Sequence, residues 1–560
     1  MKSTLSRRQF ATASLGIFAG LGLAHERALA RMGLQADGTP VGGETVILTT
    51  RRPLPEATPS GEQVFRITGP IVGPETIDPA MVRDLSSAFL TRLIFRGLVV
   101  FDAELNPALE LAERVEISAD GLTYTFSLDP KSVFHSGRAI TAQDVVFSFT
   151  RAVNPQTAGG QAALLSGPTF LSSIAGVPEM LAGESETLSG ITAVDDATVK
   201  IQLSAPSSPF LMQLGAAATS IVDPNDVAKG DKWWMSPNGS GPFHISEWTP
   251  GQQMVLTPVS SFVDGAPALQ KVEILLGPNA GSAFNLYQAE KVDICGIGSS
   301  DVDRVTSTES GLADQLVQSD LFATEYAAFR TDVAPMDDRN VRKAVAMSFP
   351  RAKIAEVAFG GHVNVAEGLI PNGMLSVPWP VNALPYDPDA AKAAFAASKY
   401  AGVTEVDPIQ IYSTGNSFVP ALREAVREVL GLELDAVTVQ SSEFFDGLAL
   451  RQYPAYGLYW GADYPDPSTF LGSLFQTGSS DNYIDYSNPD FDALMNEAAT
   501  EQDITKRAET YMKAQQLLID DAVLIPTYHD VGYMLLKPGV KGFEYTPLGL
   551  LQLETIWIER

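Results

Sequence analysis

The sequence predicts an α/β chain of several domain-sized units, and three patterns predict it. Polar and apolar residues alternate with a period of two over 122–128 and 199–203, as in strands with one buried face. Residues 86–95, 339–349 and 388–397 instead carry apolar side chains at helical spacing. The two kinds of segment are mixed without a fixed repeat period along 560 residues. Beyond the first thirty residues, that length suggests about three to four domain-sized units.

Residues 1–30 read as an export signal. Lys2, Arg7 and Arg8 make a charged start, the small-residue apolar stretch 11–24 lacks charge, and Ala28-Leu29-Ala30 suits cleavage after Ala30. Ser6-Arg7-Arg8-Gln9-Phe10 fits the twin-arginine signal, a receptor-read address for folded cargo. No cysteine lies near the cleavage site to carry a lipid anchor, so a soluble periplasmic protein is expected. Residues 31–61 are rich in Gly, Pro and Thr, and Arg51-Arg52-Pro53, Pro55 and Pro59 oppose regular structure; a flexible leader is expected. Folded structure should begin near Gln63-Val64-Phe65-Arg66-Ile67, which alternates like a strand. Pro and Gly punctuate 237–242, 371–388 and 465–467, each fit for an irregular loop of the kind that carries binding groups. The single cysteine, Cys295, can form no internal disulfide, and its apolar surroundings predict a buried side chain.

The formal net charge is −28. Such a field repels nucleic acid and anionic membranes, so both partner classes lose weight. It does not identify a cationic ligand, because a solvated acidic surface is the commoner cause. Past the signal, no uncharged apolar run approaches the roughly 18 residues needed to span a bilayer. The sequence holds no Gly-Lys-Ser/Thr phosphate loop, no Gly-x-Gly-x-x-Gly after a strand, no His-Glu-x-x-His and no Gly-x-Ser-x-Gly. Beyond the signal His135, His244, His362 and His529 are isolated in sequence, so no metal site and no cofactor are expected, although one assembled in space stays open. A carboxylate pair of the glycosidase kind could include Asp463 and Asp466.

The most specific signal begins at Phe95-Arg96-Gly97-Leu98-Val99 and continues through Asn106-Pro107-Ala108-Leu109 and the run 118–126. It extends over 133–138 and Thr141-Ala142-Gln143-Asp144-Val145. Physically this stretch makes sense as scaffold. Asp120-Gly121 supplies a turn before a strand whose Leu122, Tyr124, Phe126 and Leu128 share one face, and Thr141 with Asp144 suits a helix N-terminus. Later come Ser240-Gly241-Pro242-Phe243, residues 338–344, Tyr386-Asp387-Pro388, Trp460-Gly461-Ala462-Asp463-Tyr464-Pro465-Asp466-Pro467 and residues 537–543. Over about residues 62–555 this succession closely resembles the bacterial extracellular solute-binding protein family 5, which includes oligopeptide-, dipeptide- and nickel-binding proteins.

The resemblance implies a two-lobed periplasmic-binding-protein fold of the class II, cluster C type, with an extra subdomain in the first lobe. By that pattern the first lobe takes 62–110, 223–322 and 520–560, its subdomain 111–222, and the second lobe 323–519. It also implies a peptide-like small solute captured between the lobes, a permease of an ABC importer as partner, a monomer, and no chemistry of the protein's own. In such members an extended ligand is paired through main-chain groups, a form of strand addition. The matching positions are Gly97, Leu98 and Val99 on one lobe and Tyr459, Trp460 and Gly461 on the other. Asp463 matches the carboxylate that receives a ligand's α-ammonium; it could instead cap a turn in its proline-rich loop. Tyr459 and Trp460 fit a pocket or the core.

Two positions depart from the family. Arg96 stands where a Glu is common before Gly-Leu, and Gly457 stands where some oligopeptide binders carry an arginine. A ligand carboxylate then needs another cation, for which Arg96 and Arg451 are candidates. Non-peptide solutes therefore stay open, among them oligosaccharides, opines and metal chelates. The reading from another class is an exported hydrolase of peptides or glycans, and a sensory or chaperone role without transport is a third.

Overall fold

The computed structural model describes residues 45–52, 54–69, 74–403, 407–415, 418–501 and 503–559. The signal expected at 1–30 lies outside them, as do residues 31–44 and 53 of the leader.

The elements follow from local chemistry that the sequence announces. Strand Thr123–Leu128 buries Tyr124, Phe126 and Leu128 on one face. Ahead of it Gly121 adopts φ 67°, the left-handed region that a glycine enters at no steric cost. Helix Ala142–Val153 opens on a capping box between Thr141 and Asp144. Arg138 then holds both Asp144 oxygens, at 2.9 and 3.0 Å. Helix Pro388–Ala396 starts on Pro388 behind Asp387, whose carboxylate accepts from the Asp389 and Ala390 amides. Helices Leu85–Ile94 and Arg339–Ser348 lie within one residue of expectation at each end.

Three sheets carry the architecture. An antiparallel sheet of five strands runs Val46–Leu48, Ala112–Ile117, Thr123–Leu128, Thr198–Gln202, Ile191–Ala193. With helix Ala142–Val153 it encloses Val115, Phe126, Val145 and Phe149. A four-stranded sheet, Val64–Thr68, Lys271–Leu275, Gln253–Pro258 and Phe243–Thr249, packs Phe65, Ile274 and Leu256 against Leu93 and Phe95. The third sheet runs Ile294–Gly296, Leu524–Leu536, Leu316–Phe329, Ala455–Gly461, Ile409–Ser413, Leu434–Thr438. Its two long central strands pair with Ile294–Gly296 at one end and with Ala455–Gly461 at the other. Near the middle their register shifts between Asp320 and Thr324. One continuous sheet thus joins two bodies, and the fold is α/β and two-lobed, as expected.

One expectation is corrected. Residues 46–48, assigned to a flexible leader, form a strand paired with Ala112–Ile117, with Val46 and Leu48 buried. The arginines read there as breakers find distant carboxylates: Arg51 bonds Asp264 at 2.8 Å and Asp129 at 2.5 Å, and buried Arg52 bonds Glu554 at 2.5 Å. Partners 78 to 502 residues away leave no local trace. Cys295 lies buried in strand Ile294–Gly296, as its apolar neighbours indicate. Among the described residues no helix is long and apolar enough to cross a membrane.

Candidate functional site

Two adjoining cavities, of about 90 and 220 Å³, lie where helix Leu85–Ile94 faces the end of strand Ala455–Gly461. Both are lined by Leu85, Arg92, Tyr459, Gly461 and Asp463. Around them the lobes touch. Arg83 donates to Phe445 O at 3.2 Å and to the Asp446 carboxylate, and Thr169 bonds Asp481 at 2.6 Å. Larger hollows open elsewhere, one of about 1120 Å³ beside Trp233 and Trp234 and one of about 690 Å³ beside Arg451.

Strand Ala455–Gly461 brings Asp463 to the cavity. Tyr459, Trp460 and Gly461 pair with Glu325, Thr324 and Ala323, and the Ala462 amide still bonds Phe322 O before the chain turns away. The loop that follows assigns different work to its two aspartates. Asp466 is wholly buried, accepts from the Ser468 amide and the Tyr511 hydroxyl, and pairs with Arg507 at 3.2 Å. It is the cap that the sequence left open for Asp463. The Asp463 carboxylate accepts no hydrogen bond from any described residue, and only its amide is tied, to Thr469 Oγ1 at 3.3 Å. Burial, reinforced by the Asp481 carboxylate, pushes the Asp463 carboxyl up to about 7, and Arg92 opposes the rise only in part.

The other expected residues divide. Tyr459 lines both cavities and bonds Asp530 at 3.1 Å, while Trp460 lines the smaller one and donates to Thr469 O at 3.0 Å. Gly97, Leu98 and Val99 do not reach either cavity. Leu98 and Val99 are core, and the Gly97 and Leu98 carbonyls already accept from the Leu111 and Glu110 amides. Their flanking neighbours Arg96 and Val100 do reach the wall. Arg96 does line the larger cavity, but its charge is taken by Glu554 at 2.6 Å and Glu110 at 3.5 Å. Arg52 completes that cluster as two cations against two carboxylates. Arg451 faces the separate 690 Å³ hollow and is held by Ser480 O at 2.8 Å and Asp485 at 3.5 Å. Neither expected cation is therefore open to a ligand in the cavity that Asp463 faces.

Sequence reasoning missed Arg92. It projects from helix Leu85–Ile94 into both cavities, yet among the described residues it makes no ion pair, and its Nε is buried without a partner. Burial lowers the guanidinium to about 10 against the pull of Asp463. The signal available was only a cation on the apolar side of a short helix, a pattern that snorkelling arginines share. His135 and His244 meet edge to face at 6.0 Å, but each bonds elsewhere, to Gly241 O and Thr257 Oγ1. Among the described residues no group of three or more His, Cys, Asp or Glu is placed to hold a metal ion.

Two lobes threaded by one sheet, with a partly open cavity between them lined by the unpaired Arg92 and Asp463, define a two-lobed solute-binding protein. The sequence model of the bacterial extracellular solute-binding proteins, family 5 (middle), matches residues 106–482, and the chain belongs to that family. The probable deoxycholate-binding periplasmic protein YgiS of Escherichia coli K12 is 28% identical over 504 residues, 88% of this chain and 92% of that one. The periplasmic oligopeptide-binding protein OppA of the same organism is 26% identical over 488 residues, 84% of this chain and 88% of its own. The structure of the E. coli murein tripeptide-binding protein MppA superposes with a TM-score of 0.80 at 25% identity, over 90% of this chain and 100% of that one. The unliganded open form of MppA, at the same identity and over 90% and 99% of the two chains, gives 0.65. These relatives are binding proteins rather than enzymes.

Proposed function

We propose that this chain is the exported, periplasmic substrate-binding component of an ABC importer, capturing a peptide-like small solute between its lobes and passing it to an inner-membrane permease. The observation that carries this reading is the Asp463 carboxylate, presented to the cavity between the lobes without a hydrogen bond of its own. A ligand ammonium supplies the missing partner, because a buried charge is stable only when paired. Main-chain contacts then come from 458–461, since strand Ile409–Ser413 pairs with strand Ala455–Gly461 only at Tyr456. Lobe closure follows from contacts made to both sides at once. Native mass spectrometry of protein purified from its own periplasm identifies the solute. Calorimetry with that solute should show Asp463→Ala binding an amine-bearing ligand more than tenfold more weakly; unchanged affinity removes Asp463 from the site, and accumulation of a reaction product ends the reading.

A second reading, an anionic solute without an amine, draws support from the unpaired Arg92 and from the relative named for deoxycholate. Calorimetry separates the two, because binding of such an anion survives Asp463→Ala.

A further inference from the structure

We infer that Arg92 and Asp463 together form a receptor for a short zwitterion, with Arg92 taking the ligand's carboxylate and Asp463 its ammonium; this rests on the proposed solute-binding function. Three observations converge. First, both side chains line both cavities, on opposite lobes, one from helix Leu85–Ile94 and one beyond strand Ala455–Gly461. Second, neither has a hydrogen bond or an ion pair from its charged group among the described residues, whereas even buried Arg342, which has no ion pair, is held by the Met336 and Asp521 carbonyls. Arg96, Arg52, Arg151 and Arg507 each hold a carboxylate at 2.5 to 3.2 Å, whereas Arg92 has no ion pair among the described residues. Third, the two do not neutralise each other: they sense one another electrostatically but form no ion pair.

Keeping two opposite charges partly desolvated and apart costs hydration that neither repays to the other. A ligand that carries the complementary charges at both ends removes both costs in one binding event. A group with one charge leaves the other exposed to the same penalty. The two cavities together sit near the lower end of the range for ligand sites, about 300 Å³, which favours a molecule with its two charges close together. Planar, bidentate recognition of a carboxylate is what a guanidinium offers and an ammonium does not.

The test uses the full secreted chain, dialysed and presented with three equimolar mixtures of dipeptides: free, N-acetylated and C-terminally amidated. Native mass spectrometry reads which are retained by the wild type, Arg92→Gln and Arg92→Lys. The wild type should prefer free dipeptides at least tenfold over both blocked series. Arg92→Gln should bring the free and amidated series within threefold while keeping the preference over acetylated peptides. Arg92→Lys should restore part of the lost discrimination. Arg92→Gln should melt no lower than the wild type, because it removes an unpaired charge, so lost discrimination cannot be ascribed to unfolding. Equal retention of amides and free acids by the wild type, or a preference untouched in Arg92→Gln, overturns the inference and leaves the ammonium role of Asp463 standing. Retention of acetylated dipeptides as strongly as free ones overturns that role, and retention of none of the three series overturns the zwitterion receptor itself.

Discussion

Replacing Asp463 by asparagine should stabilise the empty protein at alkaline pH while crippling its binding. In the folded chain burial and Asp481 raise this carboxyl from its ordinary 3.8 to about 7, with the pull of Arg92 already included. The folded state therefore holds the proton more tightly than the unfolded state, and ionised Asp463 withholds stability above pH 7. At about 1.4 kcal/mol per pH unit the difference has a ceiling of about 4 kcal/mol. The side chain keeps some contact with water at the cavity wall, which halves the expected figure to about 2 kcal/mol. Unfolding entropy of about 2.1 cal/mol/K per residue turns that into a rise in Tm of about 2 °C if some 500 residues melt together, or about 5 °C if a lobe of about 200 melts alone. The assay is calorimetric melting of the ligand-free wild type and Asp463→Asn at pH 8, 6 and 4. The gain should be largest at pH 8 and shrink to a small remnant at pH 4, where the folded carboxyl is protonated and the unfolded one, at its ordinary 3.8, is about half so. A variant that melts lower at pH 8, or a gain that ignores pH, refutes the view of Asp463 as an enclosed, unpaired charge.

Two further outcomes test the scaffold. Glu554→Gln should lower stability by about 3 kcal/mol, because Arg96 and Arg52 lose the carboxylate they share at 2.6 and 2.5 Å. Burial opposes ionisation of Glu554, but the two arginines prevail and hold it down at about 2; equal melting of variant and wild type contradicts the assignment. Cys295 is buried and its thiol is pushed up to about 12 by burial, so a disulfide reagent should label it only after unfolding; rapid labelling of native protein contradicts that burial.

How much of this was legible depended on whether the cause was local. The turn at Gly121, the Thr141 capping box and the Pro388 helix start depend on residues a few positions apart, and their positions follow from sequence. The strand at 46–48 and the fate of Arg52 depend on partners up to 502 residues away, and proline content misled the reading. The candidate site divides along the same line. Asp463, Tyr459, Trp460 and Gly461 sit together because one strand and its loop carry them. Which arginine is open, Arg92 rather than Arg96 or Arg451, depends on where Glu110, Glu554 and Asp485 fall in space, and motif matching has no access to that.

The contacts that hold the lobes together bear on how a solute is sensed. Apart from Arg83 with Asp446, they include Thr169 to Asp481 at 2.6 Å and Ser208 to Ala499 O at 2.9 Å. Each such bond contributes about 0.5–1.5 kcal/mol net, because the open form satisfies the same groups with water. A few of them together are of the same order as the cost of enclosing Asp463 and Arg92 unpaired. Moving a two-state equilibrium from 1:99 to 99:1 takes about 5.5 kcal/mol, and compensating two enclosed charges can supply most of it. On the proposed binding function, weak latches at the rim and the two unpaired charges within would work as one device: stronger latches would shut the chain without cargo, and paired charges inside would leave cargo with nothing to change.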